Sequence, residues 1–156
     1  MSITPTVFYQ DPKAALDWLQ RAFGFEISVL LTDDAGRVAH AEMSHDGASI
    51  GVAGEWGGEL LGGAQMKSPA SIGGAGTQFI WIGLSEPLDA HHARAAAAGA
   101  RITQAPSDQF YGDRTYRALD PEGHVWCFRQ PVEQVSTDEM ERRSGLKVQP
   151  VGEGAR

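Results

Sequence analysis

Two stretches of this chain open on an acid–proline pair and close on a glycine at the same distance. Asp11-Pro12 leads to Gly24 and Glu86-Pro87 leads to Gly99, thirteen positions in each case. A hairpin glycine follows each, Gly47 twenty-three positions after Gly24 and Gly123 twenty-four after Gly99. An acidic cap, a proline in the first turn and a glycine just past the end are the marks of an α-helix. That all of them recur in register implies an internal duplication. The 156 residues then form one domain-sized body built from two similar halves.

Each half reads as strand, helix and three strands. Residues 3–10 are rich in β-branched and aromatic residues and predict a strand. Ala15, Leu16, Leu19, Ala22 and Phe23 repeat at helical spacing over 11–23. Strands are expected over 25–32, 37–44 and 48–53, with Asp33–Gly36 and His45-Asp46-Gly47 as turns. In the second half the strand 77–84 precedes a helix on which Leu88, His91, Ala95 and Ala98 mark a candidate buried face. Strands at 101–104, 111–119 and 124–130 follow, the last two joined by the turn Asp120–Gly123. The organisation is therefore a first module over 1–54, a linker over 55–76, a second module over 77–131 and a tail over 132–156. The segment 54–76 holds eight glycines and little periodicity, the composition of a binding loop or linker. Trp56, Leu60, Leu61 and Met66 are its apolar residues, expected to clamp it onto the body or to cap a pocket. In the tail, Ser136 and Glu139 fit a capping box that opens a short helix ending by Gly145.

Neither half closes a sheet alone, so its apolar face must be covered by the other. The expected architecture is α+β: two βαβββ modules forming a curved, incompletely closed eight-stranded sheet with flanking helices and a trough as the pocket.

Composition narrows the function. Thirteen basic against twenty acidic side chains leave a formal charge of -7, which disfavours a nucleic-acid surface. The apolar run Phe79–Leu84 is strand-sized, far below the roughly 20 residues that a bilayer crossing needs. Met1–Pro5 has no charged region followed by an apolar one, so no secretory signal is expected. Cys127 is the single cysteine, which excludes an internal disulfide and, with no export signal, makes the cytoplasm the expected location.

The segments Asp11–Ala15, Phe23-Gly24-Phe25, Leu88–His91, Ala98-Gly99-Ala100 and above all Tyr111–Arg114 through Asp120–Phe128 resemble the glyoxalase, bleomycin-resistance and extradiol-dioxygenase superfamily, also called vicinal oxygen chelate. The resemblance covers about residues 3–131. It implies that metal-dependent members would place their ligands near Thr4, Gly51, Gln78–Ile80 and Cys127. Of these only Gln78 offers a donor of the family's type, whereas a divalent ion wants three or more. No metal and no cofactor are expected.

The other chemistry-bearing residues have plain readings. His40 and Glu42 share a strand face; they suit a solvated sheet surface, or an alternative metal or acid–base pair. His45 is expected exposed in its turn, His91 and His92 on the surface, and His124 as a satisfied structural histidine. Arg114 with Asp113 and Asp120 suits a charge network bracing the hairpin, or a contact to an anionic ligand. Cys127 suits a small wall residue, since no base is legible beside it. Phe79 and Trp81 share one strand face, as do Thr6 and Phe8, and flat aromatic walls suit a planar or amphipathic ligand.

The expected ligand contacts are therefore Phe8, Trp56, Phe79 and Trp81, with Tyr111, Arg114, Tyr116 and Cys127 from the second module; no catalytic residue is assigned. The resemblance also implies a homodimer. The leading reading is a metal-independent binding protein for an aromatic or amphipathic small molecule, as in the bleomycin-resistance branch. The acidic charge would suit a cationic ligand. The alternatives are a metal-dependent lyase, isomerase or dioxygenase, and a structural or regulatory domain with a filled core.

Overall fold

The structure is a computed structural model that describes residues 3–149. Residues 1–2 of the first module and 150–156 of the tail lie outside the described residues.

The first module is β1 (Thr6–Tyr9), α1 (Pro12–Phe23), β2 (Glu26–Thr32), β3 (Val38–His45) and β4 (Ala48–Gly54). The linker holds a two-stranded ribbon, β5 (Trp56–Gly57) with β6 (Gln65–Met66), and two 3-10 turns at Glu59–Leu61 and Pro69–Ile72. The second module is β7 (Phe79–Gly83), α2 (Leu88–Ala97), β8 (Arg101–Asp108), β9 (Asp113–Leu119) and β10 (Val125–Pro131). A last helix, α3 (Thr137–Ser144), lies in the tail.

The modules repeat one topology. Their sheets run β1-β4-β3-β2 and β7-β10-β9-β8, each with its first and last strands paired in parallel. The fold is the expected mixed α+β arrangement, with its eight module strands in two hydrogen-bonded sheets of four. In the first module the local reasons are those the sequence offers, whereas α2 starts with Pro87 as its N-cap and no side-chain cap, Glu86 bonding Arg94 instead. Asp11 caps α1 through Ala14 N at 3.0 Å, and Gly24 ends it at φ 74°. Asp46 and Gly47 turn the hairpin with φ of 47° and 79°, the double positive φ that Asp-Gly supplies. Ser136 accepts from Glu139 N to start α3. β8 runs on to Asp108, past the expected end at Gln104. It is an edge strand with an irregular register, so Pro106 costs it no ladder partner.

The two helices cover the apolar sheet faces and each other. Trp18 Nε1 donates to Ala98 O at 2.9 Å. Phe23, at the end of α1, packs on Trp126 and Phe128 of the second module with ring centroids 5.4 and 4.7 Å apart. Tyr9 donates to the buried Asp120 at 2.7 Å, and Trp126 Nε1 donates to the same carboxylate at 3.1 Å. One core therefore spans both modules, and the strands turn their other faces away from it.

The linker is anchored differently from the expectation. Leu60 is 93 % exposed and Trp56 is 46 % exposed, so they are not its clamps. Ser68 is, fully buried with its hydroxyl on Glu122 and its N–H on Glu55. The 3-10 turn that follows buries Pro69 against Gly123.

Candidate functional site

Strand register assigns each side chain to the helix-covered or the open face of its sheet. In the second module Cys127 pairs with Arg117 on one side and Trp81 on the other. The next row is Arg101, Leu119, Val125 and Phe79. These rows lie opposite Trp126, Phe128, Tyr116 and Ala118, which are core. The open face thus carries Phe79 and Trp81, 47 % and 42 % exposed, with ring centroids 5.7 Å apart and planes tilted by 46°. Burial pushes the Cys127 thiol up, against a smaller opposing pull from Arg117 beside it, so the sulfur is a neutral part of the floor.

The equivalent row of the first module is Thr6, Gly51 and Glu42. Seventy-five positions separate Thr6 from Trp81, Glu42 from Arg117 and Glu26 from Arg101. The duplicated positions therefore carry acids on one open face and arginines on the other. His40 faces Glu42 at 3.2 Å, both partly solvated, as a sheet-surface pair does.

One groove borders β1 and another borders β7. The first, of about 480 Å³, is lined by Thr6, Phe8, Met66, Ile72, Gln78 and His124 among others. The other, about 310 Å³, lies between Thr4-Pro5 and Trp81. His124 donates through Nε2 to Phe8 O at 2.7 Å, the satisfied structural role expected of it.

The expected contact residues divide between these surfaces. Phe8 lines the larger groove and Trp81 the smaller, while Phe79, Trp81 and Cys127 share the open face. Tyr111 stands in the turn before β9, where burial and then the nearby Asp113 push its hydroxyl up. Trp56 sits on the ribbon opposite Met66. Tyr116 and Arg114 face the helices. Tyr116 is fully buried and donates to His91 Nδ1 at 2.6 Å. Arg114 bonds Asp89 of α2 and Asp108 of β8 at 3.1 and 2.7 Å. The single network expected of Asp113, Arg114 and Asp120 is three separate ones. Asp113 pairs with Arg129 at 3.5 Å, and Asp120 is taken up by Tyr9 and Trp126.

The residues at the family's ligand positions do not fit a divalent ion. Gly51 has no donor, and a Cβ there would stand 2.6 Å from Thr6 Oγ1. Cys127 is a protonated thiol held against a guanidinium. Among the described residues, three possible ligands converge only at His45, Glu86 and His91; the ligating atoms of Glu86 and His91 are taken up by their own bonds, while His45 Nε2 is buried without a hydrogen-bond partner. His91 is buried, not at the surface as expected, because its i−3 and i+4 neighbours Leu88 and Ala95 set the inner face of α2. Its Nε2 donates to Phe23 O at 3.1 Å while Nδ1 accepts from Tyr116. Desolvation pushes its pKa down to about 4. Glu86 holds Arg94 through two bonds of 2.7 and 3.0 Å. His45, also drawn inward, bonds Gly24 O at 3.1 Å. The cluster ties both helices to the β3–β4 hairpin.

A model of the Glyoxalase/Bleomycin resistance protein/Dioxygenase superfamily matches residues 3–128. The chain is 30 % identical over 140 residues to the uncharacterized proteins Rv0887c of Mycobacterium tuberculosis and Mb0911c of Mycobacterium bovis. The match covers 90 % of this chain and 80 % and 90 % of theirs. TioX from Micromonospora sp. ML1 superposes with a TM-score of 0.66 at 28 % identity, over 85 % of this chain and 99 % of its own. The genomically encoded fosfomycin resistance protein FosX from Listeria monocytogenes shares the fold, with a TM-score of 0.58 at 18 % identity over 90 % and 97 % of the two chains.

Proposed function

The chain belongs to the glyoxalase/bleomycin resistance protein/dioxygenase superfamily, and from that premise we propose that it is a metal-independent binding protein for an aromatic or amphipathic small molecule. One observation carries the reading: Phe79 and Trp81 lie side by side and half-exposed on a sheet face with a neutral, closed floor at Cys127. Exposed neighbouring rings are costly to leave in water and suit the face of a planar ligand. The donor chemistry at Thr4, Gly51, Gln78–Ile80 and Cys127 supports metal independence over the lyase, isomerase or dioxygenase alternative.

The protein acts as a homodimer in this reading. Every residue of the edge strand β2 is exposed, Ile27, Val29, Leu30 and Leu31 among them, and such an edge calls for a partner. Cytoplasmic residence belongs to the same proposal, with Cys127 as a free buried thiol.

The test combines metal analysis with ligand binding. Purified protein, with and without added Ni, Zn, Fe and Mn, is expected to retain no stoichiometric ion and to bind planar aromatic compounds with quenching of tryptophan fluorescence. One tightly held ion per chain would favour the enzyme. Light scattering reads the oligomer, and a monomer at micromolar concentration would remove the dimer from the proposal.

A further inference from the structure

We propose that the open face of the second module selects an anionic ligand, with Arg117 as the residue that binds its negative group and Arg101 beside it. The proposal rests on the reading of that face as a ligand surface and goes beyond it by naming the ligand's charge.

The first observation is how the arginines are used. Seven of the nine among the described residues have a carboxylate within 4.0 Å: Arg21, Arg37, Arg94, Arg114, Arg129, Arg142 and Arg143. Arg117 and Arg101 are the exceptions, in a chain with seven more acidic than basic side chains. Both are exposed. Register puts both on the face that carries Phe79 and Trp81. Ile102, next to Arg101, packs on the core instead, which confirms the side on which Arg101 stands.

The second observation is the spacing. Arg117 and Trp81 flank Cys127 from the two neighbouring strands. Adjacent strands lie about 4.8 Å apart, so the guanidinium-bearing and indole-bearing strands stand on the order of 10 Å from each other. That is the span of a two-ring aromatic with an acidic substituent: the rings lie on Trp81 and Phe79, and the carboxylate reaches a planar donor fork. No acidic side chain shares the row, and the floor thiol is uncharged. The nearest acid along the strand, Asp113, is paired with Arg129. The first module carries Glu26 and Glu42 at the duplicated positions, so charge directs such a ligand to one face only. This local sign reverses the preference for a cation that the net charge suggests.

The experiment compares 2-naphthoate with 2-naphthamide, which have the same shape and differ in charge. Binding is read by tryptophan quenching and by calorimetry at fixed ionic strength. Naphthoate is expected to bind the wild-type chain about tenfold tighter than naphthamide, the effect of one charge-assisted pair. Arg117→Gln is expected to abolish that difference while leaving naphthamide binding and the melting temperature unchanged. Arg129→Gln, which removes an arginine already paired, is expected to keep the preference. Equal binding of the two compounds by wild type, or a preference that survives Arg117→Gln, overturns the anion site and leaves the aromatic ligand surface standing. Binding of neither compound removes the surface and the anion site together. An Arg117→Gln variant that turns a dimer into a monomer with naphthoate binding intact assigns the arginine to a contact between copies and also overturns the proposal.

Discussion

Asp46 and Glu122 hold the same position in the two modules, one residue before the hairpin glycine, and each grips the strand-to-helix turn of the other module. Asp46 Oδ2 accepts from Ser85 N at 2.9 Å and from its hydroxyl at 2.7 Å. Glu122 accepts from Gln10 N at 2.7 Å and Asp11 N at 3.0 Å. Gln10 and Ser85 are themselves equivalent positions, so the clasp is reciprocal. Asp46→Asn keeps the shape and tolerates the positive φ but weakens the bonds. A loss of about 1–2 kcal/mol is expected, seen as a fall of roughly 2–6 °C in melting temperature. The Ser85 N–H holds the Asp46 carboxyl below its usual range. Its contribution is therefore present above the ordinary carboxylate pKa and is lost as pH falls through the lowered value. Wild type and Asp46→Asn should converge in stability at acid pH. A constant gap down to pH 2 would show that the charge is idle.

His91 gives a second, separate pH dependence. It is neutral in the fold because burial depresses its pKa from 6.5 to about 4. The unfolded chain takes up a proton between those values and the folded chain does not, so stability falls as pH drops from about 6.5 to 4, by roughly 3 kcal/mol at most. Urea midpoints measured across that window should show the slope in wild type. His91→Gln should flatten it and lower stability at pH 7.5, since Phe23 O and Tyr116 lose their partner. An unchanged slope in the variant would place the titration elsewhere.

What the sequence made legible follows the range of the interactions involved. Asp11, Gly24, Asp46 and Gly47 act within a few residues, and their caps and turns stand where those residue types predict them. Helical spacing with Leu88 and Ala95 already put His91 on the inner face of α2, against its reading as a surface histidine; the groups that satisfy it there, Phe23 O and Tyr116, lie 68 and 25 positions away and left no local sign. Ser68 carries no local sign of being the linker's anchor, since its hydroxyl bonds Glu122, 54 positions on. At the candidate site, alternation paired Phe79 with Trp81 correctly. It puts Tyr116 and Arg117 on opposite faces but does not say which of them faces the core, a matter settled by which one meets Phe128. The unpaired state of Arg117 was invisible for the same reason: ion pairing is a property of the assembled surface.

Gly51 and Thr6 show why position 51 of the first module has no room for a ligating side chain. A methyl group at Gly51 would meet Thr6 Oγ1 at 2.6 Å and Thr6 Cβ at 3.3 Å. Gly51→Ala is expected to cost about 1–3 kcal/mol through this clash. Adding Thr6→Ala removes the hydroxyl and should restore most of the loss, a coupling that a double-mutant cycle measures directly. Additive effects of the two changes would mean that the strands part to admit the methyl group.

Trp81 separates a ligand surface from a core. Its ring is 42 % exposed and its one close aromatic neighbour is Phe79 at 5.7 Å, so truncation removes less buried area than at a core aromatic, and one aromatic pair worth about 0.5–1.5 kcal/mol. Trp81→Ala is therefore expected to lower the melting temperature by only a few degrees, and to weaken binding of both naphthoate and naphthamide about tenfold, because both would stack on it. This differs from Arg117→Gln, which affects the anion alone, so the two variants resolve the ring contact from the charge contact. Calorimetry on the folded variants decides the matter: unchanged dissociation constants together with a melting temperature lowered by ten degrees or more, on the order of a fully buried aromatic's loss, would make Trp81 a structural residue and the open face an ordinary surface.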